Sequence, residues 1–396
     1  MTTNLTPTQA ALVLNAIPGL GSVTFRRLSD AFDGDLPAVL AAGKARLAAV
    51  PALGKGLAEK IADWQKIFDL EKEERHLAAS GARFVPVFDD AFPPLLKKIP
   101  EPPIGLYVAG NVAALATTRS VAIVGTRKAS LYGVQNAEKI ARSLAAAGWT
   151  VVSGGARGID SAAHKGALAA DGGKTVSVFG CGLDIVYPPE NFELFREITA
   201  SGGALVSEFP FGKKADRRSF PQRNRVIAGI AAGTLVVESD IAGGSIITAN
   251  FAAELGRSVF ALPGRVEQFG SRGCHKLIRD GATLVTSADD LLEDLAGSPI
   301  QTLLNFDENP APENDGSAVP ANDAEKNSGV SAADSENFSP EAKKILAALA
   351  DGAPRSPDEL SELLALPFPL VSANLLLLEI DRRVVRKADG AYEILL

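Results

Sequence analysis

Seven short runs of β-branched and apolar residues recur between positions 119 and 296: Val121–Val124, Thr150–Ser153, Thr175–Phe179, Ala204–Ser207, Thr234–Glu238, Ser258–Leu262 and Ala282–Val285. Helical stretches such as Gln135–Ala147 and Ile246–Leu255 fit between them. Strands this uniformly apolar are buried on both faces, and connections long enough to hold a helix make neighbouring strands parallel. The expected class is α/β, an extended Rossmann-like doubly wound parallel sheet. Phe84–Val87 and Gly105–Val108 read as extra strands that widen it. Such a sheet takes its ligands beyond the carboxyl ends of its strands, which directs attention to the loops that follow them.

The chain has 396 residues, more than one domain usually takes. Residues 1–75 read as a small all-α domain of short helices, broken at Ile17–Gly21 and again at Val50–Gly56. Both breaks resemble helix-hairpin-helix turns, but nine basic and nine acidic groups give this segment no electrostatic drive toward DNA, so ordinary turns are the preferred reading. Residues 76–297 hold the sheet domain. Residues 298–338 read as a disordered acidic linker: positions 301–340 carry eight acidic groups against Lys326 alone, which accounts for the whole net charge of −7. Residues 339–396 outline a winged helix, with helices at Pro340–Leu349, Pro357–Leu364 and Pro367–Ile380 and strands around an Asp389-Gly390 turn. The third helix, which such a domain would place in a major groove, holds no Lys or Arg before Glu379, so base readout is not expected of it.

With 46% hydrophobic and 22% charged residues, the chain can build sizeable cores and is not disordered throughout. It lacks a run of about 18 apolar residues, and its polar start is unlike a signal peptide, so a cytoplasmic protein without membrane contact is expected. Cys181 and Cys274, with His76, His164 and His275, cannot complete a four-ligand Cys/His zinc site without carboxylates. Neither a disulfide nor a structural metal is expected.

The turn after the first core strand, Gly125-Thr126-Arg127, is not G-x-G-x-x-G, and the second strand ends in Ser153-Gly154-Gly155 without an acidic residue for a ribose. A dinucleotide cofactor is therefore disfavoured. Gly173-Lys174-Thr175 leads into a strand rather than out of one, and Leu168 stands where a P-loop needs its first glycine. What these turns do offer is backbone amides and guanidinium groups. Gly154–Gly158 and Ala242-Gly243-Gly244-Ser245 let main-chain N–H groups approach an anion, and the helices they open add positive potential. Arg127 and Arg157 stand at neighbouring strand ends, each able to engage a phosphate, while Arg157 equally admits a salt bridge. The densest signal is Phe209–Arg225. There Lys213, Lys214, Arg217, Arg218, Arg223 and Arg225 face one acid, Asp216, with Phe220 set among them and Arg223-Asn224-Arg225 opening a helix. Cations lining a groove with an aromatic platform suit single-stranded nucleic acid. Asp160 and His164 read as structural support, Asp160 as a helix N-cap and His164 as its partner one turn on.

Taken together, these loops resemble the bacterial DNA-processing protein A family (DprA/Smf). The resemblance rests on Val121–Arg127 with Ser130 and Tyr132-Gly133, Ser153–Asp160 with Ala163-His164, Gly182–Pro188 with Asn191, Ser207-Glu208-Phe209, Phe220–Arg225, and Pro263-Gly264, in order across residues 82–295. It implies a non-enzymatic protein that holds single-stranded DNA, protects it, pairs as a homodimer through the sheet domain and loads RecA recombinase in natural transformation and homologous recombination. The site it implies comprises Gly125, Thr126, Arg127, Gly155, Arg157, Arg217, Arg218, Phe220, Arg223, Asn224, Arg225, Gly243, Gly244 and Ser245, with no cofactor. The alternative is a nucleotide-binding enzyme of the lysine-decarboxylase-like phosphoribohydrolase type. Gly243–Thr248 resembles that group's helix start loosely, with Glu254 displaced along the helix.

Overall fold

The computed structural model describes residues 5–296 and, in the carboxyl-terminal part, 340–350, 355–364, 383–386, 391–394 and a few positions between. The expected acidic linker, and most of the expected third helix of the winged domain, lie outside the described residues. Two compact units are present, Met1–Ala311 and Pro312–Leu396.

The first unit opens with α1 (Pro7–Ala16), α2 (Ser22–Ala31), α3 (Leu36–Ala41), α4 (Lys44–Ala48), α5 (Lys55–Ala62) and α6 (Leu70–Ser80). Local chemistry sets the first of these. Thr6 and Gln9 form a reciprocal capping box around Pro7, where a missing N–H costs nothing. The helices build a core that they share with the edge of the sheet. Leu14, Leu28, Leu47 and Ile61 pack in one cluster with Phe84 and Tyr107 of the sheet's outer strands and with Ile104, just before β2.

The sheet follows: β1 (Arg83–Pro86), α7 (Pro94–Lys97), β2 (Gly105–Gly110), β3 (Ser120–Val124), α8 (Leu131–Ala146), β4 (Thr150–Ser153), α9 (Ile159–Leu168), β5 (Thr175–Phe179), α10 (Phe192–Ala200), β6 (Ala204–Ser207), α11 (Ser219–Ile230), β7 (Gly233–Val236), α12 (Gly244–Glu254), β8 (Ser258–Ala261), α13 (Arg272–Arg279), β9 (Thr283–Leu284) and α14 (Ala288–Ala296). The nine strands lie in the order β1-β2-β6-β5-β4-β3-β7-β8-β9. From β6 to β9 all are parallel, and β2 and β1 extend the sheet antiparallel beyond β6. Alternate side chains feed two cores, Val121, Ile123 and Val151 toward α8 and α9, Ala122, Val124 and Val152 toward the opposite face. The extended Rossmann-like class is thus the observed one. Its consequence for function is topological: β3 lies between β4 and β7, so the chain reverses direction there and a crevice opens at the carboxyl ends of these strands.

The second unit contains α15 (Pro340–Leu349), α16 (Pro357–Leu364) and an antiparallel pair, β10 (Val384–Arg386) with β11 (Tyr392–Ile394). Ile345, Leu349, Leu360, Val384 and Tyr392 close its core. Among the described residues no helix is long and apolar enough to cross a membrane.

Candidate nucleic-acid interface

A cavity of about 370 Å³ opens at the switch point. Four loops build it. Gly125, Thr126 and Arg127 come from the β3–α8 turn; Ala156 and Asp160 from the β4–α9 turn and the start of α9; Arg217, Phe220, Arg223 and Asn224 from the loop and first turns of α11; Ser239, Asp240, Gly243, Gly244 and Ser245 from the β7–α12 turn.

The loop that carries the cations is organised by its single acid. Asp216 Oδ1 accepts from the backbone N–H groups of Arg218 and Ser219, at 2.7 and 2.8 Å, so α11 starts at Ser219, earlier than the expected opening at Arg223. Lys213 pairs with the same carboxylate at 2.5 Å, and together these contacts hold Asp216 down at about 2. Starting there sets the phase of α11. Phe220 falls in the first turn, over Gly180, with the Arg127 guanidinium 4.9 Å from its ring centroid and the Tyr187 ring 5.9 Å away. A cation already above the ring face is favourable, and both groups stay open to the cavity.

Arg223 has a different surrounding. It is only 5% exposed, and Nη1 donates to the carbonyls of Gly154 at 2.5 Å and Val178 at 2.8 Å. A Cβ on Gly154 would overlap this guanidinium and crowd Asp160, which is why glycine stands there. Asp160 is not the N-cap of α9; that position is Gly158. Its Oδ2 reaches back to accept from the N–H groups of Gly154 and Ala156, at 3.2 and 3.3 Å. Burial pushes its carboxyl up, against the pull of Arg223, while burial pulls the Arg223 guanidinium down. His164 does not pair with Asp160. Because Thr175 Oγ1 gives its one proton to Val151 O at 2.7 Å, His164 Nδ1–H must donate to Thr175, also at 2.7 Å. Burial lowers the imidazole to about 3, so it stays neutral.

The far wall is the start of α12, where Gly243, Gly244 and Ser245 line the cavity and a helix N-terminus adds positive potential; Gly243 N and Ile246 N are taken by Asp240 O and Gly243 O. Asn224 Nδ2 donates to Gly244 O at 3.2 Å and so ties α11 to that turn. The Ser245 hydroxyl is taken by Ser239 Oγ at 2.7 Å. Gly158, at φ +74°, lets the β4–α9 turn run against Thr126, where Ile159 N donates to Thr126 O at 3.2 Å.

Other expected site residues lie elsewhere. Arg225 pairs with Glu208 and donates to Glu101 O at 2.9 Å, away from the cavity. Arg157 pairs with Glu190, the salt bridge its position also admitted. Gly155 is buried, at φ +64°, against Ser177 and Phe195. Arg218 stands at the N-cap position of α11 and does not line the cavity. Conversely, Asp160, Tyr187, Ser239 and Asp240 border the cavity or its aromatic ring without having been singled out as site residues. The switch-point rule alone implicates the loop after β7. Glu254 closes α12, about 15 Å along the axis from its first residue, so it brings no carboxylate to the cavity.

A family model described as DNA recombination-mediator protein A matches residues 83–296, and one described as the DprA winged helix domain matches residues 329–390. The chain is 34% identical over 394 residues to Protein Smf of Synechocystis, covering 96% of this chain and 97% of that one. It is 40% identical over 222 residues to the DNA processing protein DprA of Streptococcus pneumoniae, covering 56% of this chain and 77% of that one. The X-ray structure of DNA processing protein A (DprA) from Streptococcus pneumoniae matches with a TM-score of 0.62 at 32% identity, over 74% of this chain and 98% of the other.

Proposed function

The chain belongs to the DNA recombination-mediator protein A family, and from that premise we propose that it binds single-stranded DNA in the switch-point cavity, protects it, and loads RecA onto it during transformation and recombination. The observation that carries the binding step is Arg127 held 4.9 Å from the ring centroid of the half-buried Phe220 at the mouth of a cavity whose opposite wall is the start of α12. A phosphate fits between Arg127, Arg217 and the α12 amides, and a base stacks on Phe220 in place of the solvent there. Phosphate contacts position a strand without reading it, so binding is indifferent to sequence.

The cavity is read as a binding site without turnover. Its one buried carboxylate, Asp160, is occupied by two backbone amides and neighbours Arg223, which leaves it no proton-transfer task. Loading follows from effective concentration: a protein that holds both the strand and RecA makes filament nucleation a local encounter, and a homodimer through the sheet domain doubles the number of strand sites. The test is RecA-dependent strand exchange on DNA precoated with single-strand-binding protein. A shortened lag supports loading; an unaltered lag at concentrations that saturate the DNA leaves only strand protection. Sedimentation at several protein concentrations tests the homodimer.

A further inference from the structure

The sheet edge carries a second aromatic and cationic surface that the cavity does not use. We infer that the β8–α13 loop, centred on Phe269 and Arg272, is a second subsite for the same single strand, continuing its path away from the switch point; this rests on the single-stranded DNA reading of the cavity. Phe269 is 68% exposed, and the Arg272 guanidinium lies 4.0 Å from its ring centroid, so one face of a base-sized platform is already covered by a cation while the rest stays in water. A lone exposed aromatic needs no explanation, but this one has company. Val266 in the same loop is 72% exposed and Leu131, at the start of α8, is 73% exposed.

Placement makes the two sites continuous. Because β3, β7 and β8 are adjacent and parallel, the loops that follow them share one edge of the sheet. Ser239, which lines the cavity, donates its N–H to Gly270 O at 2.6 Å, one residue from Phe269, and accepts from Gly273 N at 2.8 Å. Tyr132, on the helix that follows the Arg127 turn, donates its hydroxyl to Pro263 O at 2.7 Å and walls a second cavity together with Arg265 and Gln268. Two interstrand spacings separate the ends of β3 and β8, about 10 Å, which is about three nucleotides at a stacked strand's rise of about 3.4 Å.

Charge favours a polyanion over a peptide. Lys128, Arg265 and Arg272 flank the path, and none is in an ion pair among the described residues; the acids nearby are Glu267, Asp240 and the buried Glu238, whose carboxylate accepts from the N–H and hydroxyl of Ser130. The Asp240 carboxylate is turned to its own loop, accepting from Ile241 N at 2.8 Å.

Oligothymidylate length separates the two sites. Fluorescence anisotropy of the full chain with a strand of about 2 nucleotides, shorter than that separation, samples the cavity alone, and one of about 12 reaches both. Phe269→Ala combined with Arg272→Ala should weaken the longer strand about tenfold and leave the shorter one unchanged, with Phe269→Trp retaining wild-type affinity for both. Equal weakening of both strands, or no change on the longer one while Arg127→Ala still weakens it, overturns the subsite and leaves the cavity reading standing. If Arg127→Ala is also silent, the DNA reading of the cavity is lost as well. A shift in sedimentation coefficient at unchanged DNA affinity makes the surface a self-association face and overturns the proposal.

Discussion

Removing Arg127 and Phe220 singly and together separates what each does for a bound strand. Four cations of the cavity and its adjoining loop, Arg127, Lys214, Arg217 and Arg218, are in no ion pair among the described residues, whereas Arg157, Arg225 and Lys213 are paired and Arg223 is committed to carbonyls. If each free cation neutralises one phosphate, log Kobs should fall with log salt at a slope of about −0.7 per phosphate, near −2.8 in all. Arg127→Ala should then flatten the slope by about 0.7. Phe220→Ala should leave the slope nearly unchanged and cost about 1–3 kcal/mol through lost stacking. The two are not independent, because the ring carries the guanidinium at 4.9 Å before any DNA arrives. A coupling of about 0.5–1 kcal/mol is therefore expected between them. The assay is anisotropy of labelled oligothymidylate titrated at four or more salt concentrations with wild type, both single variants and the double variant. A slope that flattens as much in Phe220→Ala as in Arg127→Ala would show the ring to be only a prop for the cation and refute base stacking.

Replacing Arg223 with Met should destabilise the sheet unit by roughly 3–5 kcal/mol by leaving Asp160 buried without its countercharge, with much of the loss recovered by adding Asp160→Asn, as read by thermal denaturation. His164, with a folded pKa of about 3 against 6.5 unfolded, binds fewer protons when folded between those values. Stability should thus be lost as the pH falls from 6.5 toward 3, by up to about 1.4 kcal/mol per pH unit, and His164→Gln should flatten that dependence in urea melts taken across the range. Truncation after Ala296 should leave single-strand affinity unchanged or slightly raised, since it removes an acidic segment and a domain whose net charge is −2; a large loss in the same anisotropy assay would assign the carboxyl-terminal part a direct contact.

Much of this molecule is legible from local pattern. The uniformly apolar runs at Val121, Thr150, Thr175 and Ala204 become strands buried on both faces, because period and burial are properties of neighbouring residues. The loops that border the cavity are likewise found by noting where each strand ends. Which cations are free is not local. Arg223 and Arg225 look interchangeable in sequence, yet two positions on a helix are about 200° apart, so one enters the sheet edge and the other meets Glu208. Their partners are remote: Gly154 is 69 positions from Arg223, and Glu101 is 124 from Arg225. Helix phase was set in turn by Asp216, whose contacts with Arg218 and Ser219 start α11 before Phe220. The sequence alone determined that a parallel sheet presents glycine turns and cations along one edge. Only the tertiary structure decided that Arg127 and Phe220 meet there while Arg157 and Arg225 are neutralised, since pairing depends on which strands the fold brings side by side.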